Sequence, residues 1–489
     1  MMRSAAALAS VLLFVGHARG QQRNAHWPLP RANWMHFTED GAQAGAWVPG
    51  TVWITGSASI SSPTGELQLY GDGNYVYAGA TGTVIASAPG SAWPSVPSPG
   101  PSSLFCPWPG DDERIAAFAR RSSFNNAEAR LVHFNFLRNA QTGTWALEAG
   151  SEQELNDSSM NPLTAVAHAN GTDYWIISHG HRGNTFLAYR LTAQGVDPAP
   201  VISQTGPALP MATNSYNSIN RLGSLVASYS GTQLALTNMS TDSSSVISCD
   251  LFQFNSNTGV VSYYSSLPIL SNGVHGTEFS PDATKLYQMH GAWASDFGWT
   301  ITLRQFDLTS QDAVQIAASA ALVRTELYPP EYDMPDGLGL RIASAPDGRI
   351  YLVWNGENSL SVINEPNLPG AACNFVVDQV PLPNTIAAAL PNQCKRYHDS
   401  ELPLGLPATQ HVQEQLMVWP VPTDGVLHVR TPRPGQLRIA DALGRTVATQ
   451  LTGENSTAYV DLSLAAPGAY AVQWLAPGSP PVCRWVVKR

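Results

Sequence analysis

The sequence predicts an all-β protein: a β-propeller of seven blades, with six as the alternative, followed by a small C-terminal β-sandwich. Three observations predict it. A unit of strand, tight turn, strand, loop and further strands recurs through the body at spacings of about 45 to 65 residues. Apolar residues follow a two-residue period inside these units, and no long 3.6-residue period interrupts them. After about residue 415 the alternating segments become shorter, and Ala442-Leu-Gly-Arg445 and Ala466-Pro-Gly468 supply the turns. A lone sheet that is apolar on both faces cannot cover itself. Copies packed face to face around an axis bury both faces, and closing the ring leaves only short edges.

Taken in order, residues 1–20 (MMRSAAALASVLLFVGHARG) read as a secretory signal peptide. Arg3 supplies the positive start, Ala5 to Val15 the apolar core, and Ala18 and Gly20 the small residues at −3 and −1, so cleavage is expected before Gln21. The alternative, a membrane anchor, needs a longer run to cross a hydrocarbon core of roughly 30 Å. No other stretch approaches 18 uninterrupted apolar residues, so no transmembrane span is expected.

Residues 21–405 carry the repeat. Two degenerate copies run from Ile60 through Leu67-Gln-Leu-Tyr70 to Tyr75-Val-Tyr77, and from Phe105 through Arg114-Ile-Ala-Ala-Phe118 to Leu131-Val-His-Phe134. Four clearer ones begin at Ala165, Leu225, Glu278 and Leu340. The first turn of each copy carries Gly65, Gly110, Gly171, Gly231 or Gly348, with Asp282-Ala283 in the equivalent place. Six copies are thus visible. Asn33-Trp-Met-His-Phe37 and Ala46-Trp47 precede them, and residues 373–410 follow. An N-terminal strand completing a blade begun at the C-terminus is the expected closure, giving the seventh blade. Ala88 to Ser103 is rich in Pro and Ser and reads as a polyproline-like surface loop. Residues 406–415 are the expected linker.

Residues 416–489 open with Leu416-Met-Val-Trp-Pro-Val-Pro422, continue through Asp441 to Arg445, Asp461-Leu-Ser-Leu464 and Pro467-Gly-Ala-Tyr470, and close on Val486-Val-Lys-Arg489. This ordered set resembles the C-terminal sorting domain of type IX secretion cargo in Bacteroidota, with Pro420, Pro422, Gly444, Gly468, Tyr470 and Lys488 on its motif positions. One departure is Val421, where the family usually carries Asn. The resemblance implies a β-sandwich, the type IX machinery as a partner, and a route by Sec export to the periplasm and then across the outer membrane to the surface or the medium. The body in turn resembles large secreted WD-like propellers of Bacteroidota. Asn33-Trp-Met-His-Phe37, Gly65 to Gly73, Tyr174 to Gly180, Gly276 to Asp282 and Ser361 to Asn374 carry that likeness. That family supplies no catalytic residues.

Composition bounds the chemistry. The net charge is −10 and no Lys/Arg run occurs, which argues against a nucleic-acid partner. Five cysteines without CxxC spacing make neither a zinc site nor a dense disulfide scaffold. Cys373 and Cys394 bracket a loop and can pair in an oxidising compartment, or stand as buried thiols. His179 and His181, at i and i+2 of a strand end, can face one metal, or simply belong to a polar hairpin. Glu331, Asp333 and Asp336 crowd one loop in the manner of a calcium site without its spacing, and Asp111-Asp-Glu113 reads as an exposed turn. Trp108, Trp175 and Trp354 fall in or beside strands and are expected in the core, whereas Trp293 and Trp299 flank a loop. No Gly-x-Ser-x-Gly and no phosphate loop occurs, and no cofactor is expected. The reading is an exported, non-catalytic propeller that binds an extracellular protein or glycan. The alternatives are a propeller hydrolase or lyase acting on polysaccharide or peptide, and a structural component of the surface matrix.

Overall fold

The computed structural model of the chain describes residues 22–38, 41–46, 58–71, 75–87, 103–122, 129–180, 183–209, 223–238, 248–267, 274–294, 298–328, 341–354, 358–386, 390–395, 417–419, 423–431, 434–441, 445–453, 456–463, 465–475 and 482–489. The chain divides into two compact units, Met1–Gly405 and Leu406–Arg489.

The first unit is a seven-bladed propeller. Its blades are consecutive antiparallel meanders that begin with the strands His26–Leu29, Ala58–Ser61, Ser103–Trp108, Gln153–Ala167, Gly223–Ala227, Val274–Phe279 and Arg341–Ser344. Among the described residues blade 1 has three strands, blades 2, 5, 6 and 7 have four each, and blades 3 and 4 share one nine-stranded sheet. The strand Gln153–Ala167 serves two blades. Its first part pairs with Ala129–Arg138 at the edge of blade 3, and its last part pairs with Tyr174–Gly180 inside blade 4. A short helix, Ala313–Ala318, capped by the Asp312 carboxylate, leads into the last strand of blade 6.

Apolar side chains alternate along each strand, so every blade has two greasy faces and meets two neighbours. Ile60 and Leu69 of blade 2 pack with Phe105 and Phe134 of blade 3. Phe118 then packs with Ile176 and Tyr189, Trp175 and Phe186 with Leu225 and Phe252, and Leu251 with Phe279 and Phe306. Tyr287 and Ile301 of blade 6 meet Ile350 and Trp354 of blade 7. Trp27 and Phe37 of blade 1 meet Tyr351 and Val362 of blade 7, which closes the ring. Blades 1 and 2 are tied by hydrogen bonds, Ser59 Oγ to the His26 carbonyl at 2.9 Å and the Ser61 amide to the Arg23 carbonyl at 2.6 Å.

The closure differs from the expected exchange of strands. Phe375–Pro381 completes blade 7 by pairing with Ser359–Ile363, and the N-terminal strands form a blade of their own. Side chains replace the shared strand. The Asn33 carboxamide receives the Asn384 amide at 2.9 Å and donates to the Asn384 carbonyl at 3.1 Å. Strand exchange needs a length of regular strand at both ends, and among the described residues of the first unit none follows Pro381.

The second unit is a β-sandwich. One sheet holds Met417–Trp419, Val426–Thr431 and Ser456–Asp461, and the other holds Thr446–Thr452, Gly435–Asp441, Gly468–Leu475 and Val482–Lys488. Leu427, Val429 and Val460 of the first sheet face Leu437, Ile439, Val472 and Trp474 of the second across one core.

Candidate functional site

The first strands of successive blades neighbour one another, so the ring's middle is where residues from different blades can be combined. That middle is occupied by the protein's own chain. After blade 7, residues 390–395 run among the first strands. Asn392 bridges to Ala58 of blade 2 and donates to the Ser103 carbonyl of blade 3 at 3.1 Å and the Leu163 carbonyl of blade 4 at 3.0 Å. Gln393 accepts from the Trp27 indole of blade 1 at 2.9 Å. The Lys395 amide donates to Ala165 of blade 4 at 2.9 Å. A segment this short reaches so many blades only where their inner strands converge.

Lys395 ends the described part of this segment in a polar knot. Its ammonium lies 2.8 Å from Glu278 Oε2 of blade 6 and donates to Ser344 Oγ of blade 7 at 2.6 Å. Glu278 also accepts the Ser344 amide at 3.0 Å and the Phe279 amide at 3.0 Å. The two side chains are 14% and 4% exposed, so the pair is desolvated and stands only because each remaining atom is satisfied. Serine and lysine at this distance resemble a nucleophile and its base. Here the nitrogen donates to both neighbours, whereas a base must accept the hydroxyl proton. The arrangement is a structural clamp.

The residues singled out from sequence lie elsewhere. His179 is buried near the end of its strand, with Nδ1 2.7 Å from the Gly180 carbonyl and its ring edge-on to Phe186. Burial lowers its pKa to about 4, against the opposing effect of the Gly180 carbonyl, so the ring is neutral at physiological pH. His181, Asp333 and Asp336 lie outside the described residues. Among the described residues, no three His, Cys, Asp or Glu side chains gather as a metal site. Asp112 pairs with Arg23 and Glu113 with Arg138, so that acidic turn is a set of ion pairs. Trp108, Trp175 and Trp354 are core residues, and Trp293 and Trp299 are register partners across their hairpin.

The pairing of Cys373 with Cys394 is not formed. Both are buried thiols in different cores: Cys373 between blades 6 and 7, Cys394 against blades 3 and 4. The chain between them passes along blade 1 and then into the ring's middle, which carries the two sulfurs apart.

In the second unit, Gly468 has φ +154, where no other residue sits without strain. Tyr470 is buried and donates to the Ala466 carbonyl at 2.5 Å. The Lys488 ammonium is buried at the domain's end, where it donates to the Ser463 carbonyl at 2.8 Å and to the Ala465 carbonyl. Pro420, Pro422 and Gly444 lie outside the described residues. Residues 417–488 match the family described as secretion system C-terminal sorting domain. This is a type IX sorting domain. It directs the chain out of the cell, to the surface or the medium, and no helix among the described residues is long and apolar enough to cross a membrane.

No curated protein matches the chain. Solved structures similar to it include a periplasmic gluconolactonase from Pseudomonas aeruginosa (11% identity, 79% of this chain and 94% of that one, TM-score 0.32). A protein of unknown function from Dyadobacter fermentans is also similar (10% identity, 79% and 93%, TM-score 0.33), as is Chaetomium thermophilum Sqt1 (13% identity, 76% and 80%, TM-score 0.33).

The segment at the ring's middle left no mark in the sequence. Its partners stand 51 to 370 positions away in the chain, and it has no strand period of its own.

Proposed function

We propose that the exported propeller is a non-catalytic binding module for extracellular protein or glycan. The observation that carries it is the filled centre: residues 390–395 take the place where side chains from several blades would otherwise meet around a substrate. A rigid ring whose middle carries its own chain presents its loops and the clefts between its blades for recognition. We also propose that residues 1–20 are removed as a signal peptide before Gln21, since their charge, apolar core and small-residue pair fit that pattern.

The test uses the protein secreted by its native host. Mass analysis of its N-terminus is expected to find Gln21 or its pyroglutamate form, and retention of Met1 would refute the leader. The purified chain is then incubated with extracellular polysaccharide and outer-membrane fractions. Saturable retention with unchanged polymer length is the expected result. Release of short saccharides or peptides over time, abolished by heating the protein first, would make it an enzyme.

A further inference from the structure

A polar cleft of about 350 Å³ lies between blades 3 and 4, at the low end of the range for small-molecule sites. His133 and Asn135 line it from one strand. They stand at i and i+2, hence on one face, and are 4% and 8% exposed. Arg114 from the next strand and Glu148 from the loop beyond complete the wall. Arg114 Nη2 is 2.9 Å from Glu148 Oε1, and Asn135 Nδ2 donates to Glu148 Oε2 at 3.0 Å. The guanidinium lies over the Trp108 ring, 4.7 Å from its centroid.

These contacts leave an unfilled set. Neither ring nitrogen of His133 meets a partner of hydrogen-bond geometry, and neither does Asn135 Oδ1 or Arg114 Nε. Burial holds the His133 ring neutral, with a pKa lowered to about 4 against the opposing effects of Asn135 and Glu148. A neutral imidazole offers one donor and one acceptor, the carboxamide oxygen an acceptor, and Nε a donor. Asn135 and His133 stand close enough to act on one another, yet their contact falls short of hydrogen-bond geometry. Buried groups of this kind are ordinarily satisfied, so the cleft marks a place where something else supplies the partners.

The chemistry of that partner follows. The one cation and one anion already neutralise each other, so a charged ligand meets repulsion from one of them. An apolar ligand leaves the donors and acceptors empty. Hydroxyl groups both donate and accept, and several on one ring match a mixed set at close quarters. We propose that the cleft between blades 3 and 4 binds a neutral saccharide, one sugar ring at a time. This rests on the binding-module reading and gives it a ligand class and a place.

The experiment uses the full secreted chain at neutral pH. The probes are glucose, galactose, mannose, N-acetylglucosamine and their short β-linked oligomers, followed by calorimetry and by NMR of the histidine side chains. At least one probe is expected to bind saturably and to shift the His133 resonances. Asn135→Leu should weaken it by about tenfold or more, as expected when a buried polar pairing is lost. Gln311→Ala, on the groove of blades 5 and 6, should leave it unchanged. Absence of binding by every probe overturns the proposal, and the cleft then holds ordered water alone. Binding that survives both Asn135→Leu and His133→Phe also overturns it, while leaving the binding module intact. Cleavage of an oligomer would instead overturn the non-catalytic reading. Should Asn135→Leu fail to fold, the His133 resonance in the unaltered protein decides: a bound sugar that leaves it unmoved refutes the site.

Discussion

Left-handed backbone marks one residue in the first turn of six blades, and it separates the positions that need glycine from those that merely have it. Gly65, Gly110, Gly171, Gly231 and Gly348 have φ between +67 and +92, and Ala283 takes the same conformation at φ +59. In five of these turns the residue's amide closes back on the carbonyl three positions earlier, as Gly231 does on Ser228 and Ala283 on Ser280. Two of the glycines allow strain and packing to be told apart. A Cβ on Gly110 would meet nothing within 4 Å, whereas one on Gly231 would lie 3.2 Å from Val166 Cβ in the core between blades 4 and 5. Gly110→Ala is therefore expected to cost about 1 kcal/mol from backbone strain alone. Gly231→Ala should cost about 2 kcal/mol or more, because Val166 must also give way. Urea midpoints of the two variants check this, and equal losses would show that Val166 yields freely. These turns were legible because positive φ is a local demand that the sequence answers locally. The surroundings of His179 were not: strand period places its side chain on a face, but only the packing of Phe186 says that this face is dry.

At the level of elements, the strands of both units follow the two-residue period, and the blade count comes out at seven, the six copies visible in the repeat plus a blade of N-terminal strands where a strand exchange was expected. What period could not reveal is a stretch whose role is set entirely by distant partners. Residues 390–395 form no regular strand, yet they join blades 1, 2, 3, 4, 6 and 7. The same blindness explains the cysteines, because chain separation says how long a loop is and nothing about which cores its ends enter. The clamp makes a sharp test of this segment. Lys395→Met leaves the Glu278 carboxylate buried without its cation, which costs about 3 to 5 kcal/mol in settings of this kind. Adding Glu278→Gln removes the stranded charge and should restore much of that loss. Equilibrium unfolding of both single variants and the double variant measures the coupling. A Lys395→Met loss below about 1 kcal/mol, the worth of an exposed pair, would mean that the segment does not sit in the ring's middle.

For the molecule as a whole, the propeller's buried histidines tie its stability to pH. Burial lowers the pKa of His26, His133, His179 and His290 to about 4, from an ordinary 6.5, and lowers those of His36 and His168 as well. The four held near 4 are neutral in the folded state at neutral pH and free to take a proton when unfolded. Above pH 6.5 neither state is protonated and the full stability is present. Between 6.5 and 4 the unfolded chain gains protons that the folded ring refuses, so stability falls as the pH drops, and it levels off once the folded histidines also titrate. His179, the most completely enclosed, accounts for up to about 1.4 kcal/mol per pH unit within that window. The propeller's urea midpoint should thus decline from pH 7 to pH 5, and His179→Gln should make the decline shallower by up to one proton's worth. A midpoint that stays level over that range, or a slope untouched by His179→Gln, would mean that water reaches these rings. Packing blade against blade without water between them would then no longer describe how the ring is held.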